Sequence, residues 1–571
     1  MYTSPSVLGD VRRNRPLCLE NCRFLSVWRT LLLVAFFVLL YGGKPADAQD
    51  LALPPLTLEP SESGKLSSAV RVFVRQIQFQ GNKVFTDQEL AKVTAPYLNR
   101  EVTSEDLEDA RRAITALYVV HGYVNSGAIL PDQDVADGVV TFQVVEGALS
   151  DITISGKGRH LRDGYLKGRL QHWAGRPLNL NELKEGLLLL RQNPNVKQVN
   201  AELRPGTQAG ESYLDVYLQE DVPYRLGIQV DNQRPPSVGA EEIVAFGADY
   251  DVTGNSDLLE FSYGIAHNGE NAFEFSGAKD ESGSYTLPVT AFDTTLKLFG
   301  SRSDASVIEA PFASLNIRSD LIRYGVTLRQ PVYRTSSQEL ALSLTFERSH
   351  NETFLLGLPF DASPGSVNGR MNTSVLGFSQ EWVDRSQQQV LALRSTLNFG
   401  LDAFGVTDNG TDQDARFFSW LGQFQYVRRV FDTPNLIILR TDIQWSDGPL
   451  LAIDQFSVGG ASTVRGYREN QLIADRGIVA SAEGRIPILF DKTGAGTFYV
   501  APFFDFGQAA DVGSGISGPN TIASCGIGLL FNPNRHLNAQ LYWGARLVHV
   551  PSPGDNLQDL GIHFKVAFEA F

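Results

Sequence analysis

From Pro223 to Phe571 hydrophobic and polar residues alternate one by one. Leu391, Leu393, Leu397 and Phe399 share one parity with Ser395, and Ala392, Arg394, Thr396 and Asn398 share the other. Ile437, Leu439, Ile443 and Trp445 stand against Arg440, Asp442 and Gln444. Leu537, Ala539, Leu541 and Trp543 stand against Asn538, Gln540, Tyr542 and Arg546. A period of two sends successive side chains to opposite faces of a strand. Strands of about ten residues, apolar on one face and polar on the other, are the pattern of a transmembrane β-barrel. Lipid offers no partner to a free N–H or C=O, so such a sheet must close. About 350 residues at ~20 to 22 per strand and loop predict ~16 strands over residues 222–571. The last run, Ile562, Phe564, Val566 and Phe568, ends near a terminal aromatic, Phe571, which is out of phase with it.

Residues 71–221 have a different rhythm. Val72 to Gln80 alternates as a strand, and Gly81-Asn82 ends it. Thr86-Asp87-Gln88-Glu89 has the spacing of a capping box and starts a helix. Thr103-Ser104 starts a second, with Leu107, Ala110, Ile114, Leu117 and Tyr118 on one face. Short strands at Ala128–Leu130 and Val139–Gly147 follow, so residues 71–147 read β-α-α-β-β. Residues 148–221 repeat that order. A strand at Ile152–Ile154 precedes helices from Asp163 and Asn181, then strands at Val196–Leu203 and Tyr213–Leu218. Two tandem units of one topology form an internal repeat.

The N-terminus bears on compartment. Arg12, Arg13, Arg15, Arg23 and Arg29 precede an apolar run, Leu31 to Leu40, and Ala46-Asp47-Ala48 supplies an A-x-A cleavage pattern. Residues 1–48 are read as a secretory signal peptide, cut after Ala48. Cys18 and Cys22 leave with it, so Cys525 has no partner for a disulfide. Residues 49–70, rich in Pro, Ser and Glu, are a linker or short plug segment. The formal charge of −15 argues against a nucleic-acid partner.

One stretch inside the barrel region is not a strand: Gly459-Gly460-Ala461-Ser462-Thr463-Val464-Arg465-Gly466-Tyr467. Glycine permits positive φ and close backbone approach, so this is a shaped loop presenting an arginine and a tyrosine. A lumen-facing guanidinium calls for a carboxylate, which it binds bidentately. In Thr497 to Gly507, Phe498, Val500, Pro502, Phe504 and Phe506 share the lipid face. Asp505 shares the lumen face with Tyr499, Phe503 and Gly507, which makes it the natural partner of Arg465.

Two β-α-α-β-β units followed by a barrel bearing Val464-Arg465-Gly466-Tyr467 and Phe503-Phe504-Asp505-Phe506-Gly507 resemble the outer-membrane transporters of two-partner secretion. These form the TpsB family of hemolysin and adhesin exporters, of ShlB/FhaC/HecB type. The resemblance implies that the repeats are periplasmic POTRA domains. It implies that the loop is the tip of a hairpin, near residues 455–475, folded back into the pore with Arg465 paired to Asp505. It further implies secretion of an unfolded partner exoprotein (TpsA-like, β-helical) across the outer membrane. The remaining partners are outer-membrane lipid, lipopolysaccharide and the barrel assembly machinery for the chain's own insertion. Only about 22 residues precede the first unit, short for the plug helix and linker often found there. The alternative function is a barrel assembly or insertion factor, which usually carries more POTRA units. A passive porin would leave residues 71–221 without a role.

Enzyme patterns are missing from the sequence, which has neither Gly-x-Ser-x-Gly nor His-Glu-x-x-His. Gly513 to Gly518 matches Gly-x-Gly-x-x-Gly, but Pro519 follows rather than a helix, so no cofactor is expected. Asp408 to Asp414 misses the calcium-loop spacing and is read as a solvated loop, so no metal is expected.

Overall fold

A computed structural model describes residues 71–570 except 136, 159, 268–274, 276, 411–412, 431–432, 491–495, 514–519 and 553–555. The leader with Ala46 and Ala48, the 49–70 segment, most of the Gly513–Gly518 loop and Phe571 lie outside the described residues.

The first α+β unit contains β1 (Arg71–Val74), β2 (Gln76–Gln80), α1 (Asp87–Thr94), β3 (Arg100–Thr103), α2 (Ser104–Val120), β4 (Gly127–Ile129) and β5 (Val139–Val145). The single strand expected over Val72–Gln80 is two strands. The N–H groups of Arg75 and Gln76 both turn to the Gly138 carbonyl, at 2.7 and 3.2 Å. The chain therefore leaves one sheet and enters another: β1 pairs with β3, whereas β2 joins β5 and β4. Both expected helix starts are capping boxes. Thr86 and Glu89 exchange hydrogen bonds, as do Thr103 and Asp106. Leu107, Ala110, Ile114 and Tyr118 of α2 are buried against Val140, Phe142 and Val144.

Asp106 accepts the Thr103 N–H at 2.7 Å, and this bond holds its carboxyl below the usual carboxylate range. The cap is therefore fully present above the ordinary carboxylate pKa and is lost as pH falls through the lowered one. Thr103→Ala is expected to cost about 1 kcal/mol of local stability. In the intact protein, hydrogen exchange of the Leu107–Tyr118 amides should quicken about fivefold. Unchanged exchange would show that α2 does not depend on this cap.

The second unit contains β6 (Ala148–Lys157), α3 (Asp163–Ala174), α4 (Leu180–Arg191), β7 (Val196–Pro205) and β8 (Glu211–Glu220). Its sheet runs β6-β8-β7, and Asn179 caps α4. Leu166, Leu170, Leu183 and Leu190 close its core against Ile152, Leu214 and Val216.

The rest is a closed antiparallel barrel. Its first strands are β9 (Tyr224–Asp231), β10 (Glu242–Asp249), β11 (Leu258–Ala266), β12 (Lys279–Pro288), β13 (Thr295–Ser306), β14 (Arg318–Arg334) and β15 (Gln338–Leu355). After the two-residue β16 (Leu358–Pro359) come β17 (Arg370–Arg385), β18 (Gln389–Gly400), β19 (Phe418–Arg429) and β20 (Leu436–Ser446). Among the described residues, β21 (Phe456–Val458) and β22 (Leu472–Ala474) pair with each other, as a ribbon that is not part of the wall. The wall resumes with β23 (Arg476–Phe490), β24 (Gly496–Ala510), β25 (Thr521–Asn534), β26 (Leu537–Arg546) and β27 (Ile562–Glu569). Setting β16 aside, sixteen strands close the wall, the number expected.

Neighbours in the wall are neighbours in sequence, and the last strand meets the first from Lys565↔Asp231 to Glu569↔Gly227. Outward residues such as Ile228, Phe261, Leu344, Phe504 and Trp543 are exposed. Inward residues such as Ser343, Thr373, Ser379, Asp505 and Ser524 are buried. The exposed hydrophobic side chains form the outer surface, as membrane immersion requires. Cys525 is among the outward residues.

Candidate functional site: an in-folded hairpin on the lumen wall

Residues 447–475 leave β20 and return to β23 at the barrel end opposite the two α+β units. The β21–β22 ribbon makes their stem, with Phe456↔Ala474 and Val458↔Leu472 in register. Asp475 ties the base. Its buried carboxylate accepts the N–H groups of Leu450 and Val512, both at 2.8 Å, and the Gln455 amide at 2.9 Å. The tip, Gly459 to Gln471, lies against the inner faces of β23 to β27.

The four residues of Val464–Tyr467 each meet a complementary feature. Val464 is fully buried, in one cluster with Val458 and Ile522. A Cβ on Gly507 would lie 2.3 Å from Val458 and 2.8 Å from Val464, so this glycine makes their room. Arg465 is 5% exposed. Its Nε and Nη2 donate to the two oxygens of Asp505 at 2.8 and 2.9 Å, and its own N–H donates to Oδ2 at 3.0 Å. Nη1 donates to Glu483, and Nη2 reaches Ser481 Oγ at 3.2 Å. The guanidinium carbon stands 3.7 Å from the Phe503 ring centre and 4.7 Å from that of Tyr542. Gly466, at φ +92°, packs on Gly544, where a Cβ would meet the carbonyl oxygen at 2.7 Å. Its N–H donates to His563 Nε2 at 3.1 Å, and its carbonyl accepts Arg546 Nε at 2.6 Å. The fully buried Tyr467 places its hydroxyl 2.8 Å from the carbonyls of Ala523 and Val548.

The structure thus brings Val464, Arg465, Gly466 and Tyr467 together with Asp505, Phe503 and Gly507. Sequence reasoning missed Glu483, Ser481, Tyr542, His563 and Gly544. A signal existed for two of them: Val479, Ser481, Glu483 and Arg485 share one parity of β23, and Ser481 is the cross-strand neighbour of Asp505. The arginine thus has two carboxylates rather than one.

A second anchor lies next to the motif. Arg468 holds Asp559 at 2.6 Å and Glu309 at 2.8 Å, both in connections at the same barrel end. Among the described residues, the lumen keeps a space on another side. A cavity of 840 Å³ is walled by Arg225, Glu260, Lys297, Arg329, Glu381 and Arg394, among small residues such as Gly283, Ser301 and Thr345. At the Asp408–Asp414 loop, Asp414 binds Arg416 at 2.6 Å, and Thr411 and Asp412 lie outside the described residues.

The comparisons with known proteins agree with this architecture. Residues 210–531 match the family described as haemolysin secretion/activation protein ShlB/FhaC/HecB. The chain belongs to that family. Residues 72–147 match the POTRA domain of ShlB type. Outer membrane transporter CdiB of Dickeya dadantii (strain 3937) is 24% identical over 411 residues, covering 71% of this chain and 70% of the relative. Hemolysin transporter protein ShlB of Serratia marcescens is 24% identical over 441 residues, covering 75% and 74%. Among solved structures, CdiB from Escherichia coli superposes with a TM-score of 0.67 at 22% identity, covering 90% of this chain and 94% of that one. The ShlB/FhaC/HecB member described here is an outer-membrane secretion pore with its POTRA domain in the periplasm. Secretion, rather than insertion of other barrels, is the function its family supports. β9 follows directly from the periplasmic part, so residues 447–475 start from the cell-surface end.

Proposed function

We propose that this transporter takes an unfolded, β-helical exoprotein from the periplasm and threads it through the barrel past a hairpin held by Arg465. The observation that carries this reading is the arginine's full set of partners on β23 and β24: Asp505, Glu483 and Ser481 at once. Such a set holds a loop in one place without adding to the barrel wall, which is what a gate needs. Edge strands offer a capture mode, because an extended chain can add itself to an open sheet edge. The edges β6 and β7 of the second unit are each ten residues long, against three for β4. Folding of the cargo outside the cell supplies direction without a nucleotide. Residues 1–48 direct export and are removed after Ala48, leaving 49–70 as a tether before the periplasmic units. Lipid and lipopolysaccharide surround the barrel, and the barrel assembly machinery inserts it.

Co-expression tests the reading. Where a β-helical exoprotein is encoded beside this gene, it should reach the medium or cell surface only when the transporter is present. Its appearance at equal level without the transporter would refute the proposal.

A further inference from the structure

The helices of the second unit rest on three short turns of the barrel's periplasmic end. Most of these contacts are neutral. Asn195 donates to the Tyr250 carbonyl at 2.8 Å, and Asn193 to Ser256 at 2.8 Å. Gln192 reaches the Ser336 carbonyl at 2.6 Å.

Glu185 of α4 accepts the Ser336 N–H at 2.9 Å, and one further contact pairs opposite charges across the junction. Asp293 lies in the turn between β12 and β13, with φ +58°, a conformation that Asp and Asn tolerate better than most residues. Its Oδ1 accepts Nε and Nη2 of Arg169, from α3, at 2.9 and 2.6 Å. Its Oδ2 accepts Nη1 of Arg334, from β14, at 2.8 Å. All three side chains are between 16 and 28% exposed. Arg169 is also stacked on Tyr165 at 3.9 Å, which fixes its direction.

The pairing continues into the lumen. Arg334 Nε lies 3.1 Å from Glu339, and Glu339 accepts Arg329 at 2.5 Å. Arg329 also donates to Glu381 at 2.9 Å, and Arg394 is 3.5 Å from the other oxygen of Glu381. Charges alternate from a helix of the periplasmic unit to the wall of the 840 Å³ cavity.

We propose that Asp293 is the positioning residue that fixes the second periplasmic unit beneath the barrel mouth. It does so by screening two arginines, one from each body, that would otherwise repel. The proposal rests on the secretion reading, since an aligned unit matters only if a chain passes from it into the pore. Removing the carboxylate charge does more than delete a bond. Arg169 and Arg334, which now share one carboxylate, face each other as like charges, and the attraction turns into repulsion. The second unit then swings on its remaining contacts.

Asp293→Asn tests this with little change in size or backbone preference. In a Cys525→Ser background, spin labels at the exposed positions Gln198 and Gln387 report the distance between the unit and the barrel. The parent should give a narrow distribution and Asp293→Asn a broad one. Arg169→Gln added to Asp293→Asn removes the repulsion and should narrow it again, a rescue that loss of packing would not produce. Secretion should fall about tenfold in Asp293→Asn, with heat-modifiable barrel mobility unchanged, and recover in part in the double variant. A distribution in Asp293→Asn as narrow as the parent's overturns the proposal. So does a broad one with parental secretion. A parent that secretes nothing refutes the function instead and leaves the distance result to stand.

Discussion

Arg465→Ala is expected to abolish secretion while leaving a folded barrel in the membrane. The substitution strands Asp505, 0% exposed, without its cation, while Glu483, 8% exposed, keeps only the cation of Arg485, at 2.7 Å. Leaving a buried charge such as Asp505 unpaired costs about 3–5 kcal/mol. The wall can avoid most of that cost because the hairpin need not stay. Once it leaves, water reaches both carboxylates. The strand ladder on either side, Ser481↔Asp505 and Asp505↔Ser524, needs nothing from the loop. The loss therefore falls on the hairpin's position and not on the barrel. Arg465→Lys should restore only part of the transport, since an ammonium has no planar fork for Asp505 with a further arm for Glu483. The check is exoprotein in the medium beside heat-modifiable mobility of the transporter. Normal secretion by Arg465→Ala would remove the motif from the mechanism.

Gly466→Val should be nearly as severe, for a reason of space rather than charge. At φ +92° a β-branched residue is strained by about 1–3 kcal/mol. Its Cβ would also sit 2.7 Å from the Gly544 oxygen and 2.9 Å from its carbonyl carbon. Backbone on a closed barrel cannot retreat as a side chain can. Gly561, at φ +77° in the neighbouring connection, lies by the same Gly544 oxygen, where a Cβ would come to 2.3 Å, so that side is crowded too. The tip lifts, and Arg465 is drawn off Asp505. Secretion is expected to fall more than tenfold. Gly448→Ala, in the same loop with open space around its Cβ, should secrete as the parent does. If both variants behave alike, the close approach at Gly466 has no role.

Much of this was legible in the chain because lipid and lumen impose opposite demands on alternate residues. That parity placed Asp505 inward and Phe504 outward, and the length of the alternating region set the number of strands. The capping box at Thr86 and the helix start at Thr103 were equally plain, being local chemistry. What stayed hidden was tertiary. β3 carries a single buried apolar residue, Val102, and so gave no alternation to read. The break at Arg75 depends on a carbonyl 63 positions away, at Gly138. Gly544 looks like any strand glycine until Gly466 is laid upon it. Glu483 was visible on the polar parity of β23, yet only the register with β24 puts it beside Arg465.

Secretion by this pore means that a polypeptide passes through the lumen. A photocrosslinking residue at Thr345, on the inner wall, tests it against one at Leu344, which is 48% exposed on the outer surface. The exoprotein would be stalled in transit by a folded C-terminal fusion. Crosslinks to the exoprotein from Thr345 and none from Leu344 are the predicted result. Crosslinks from Leu344 alone, or from neither position during a confirmed stall, would contradict passage through the barrel.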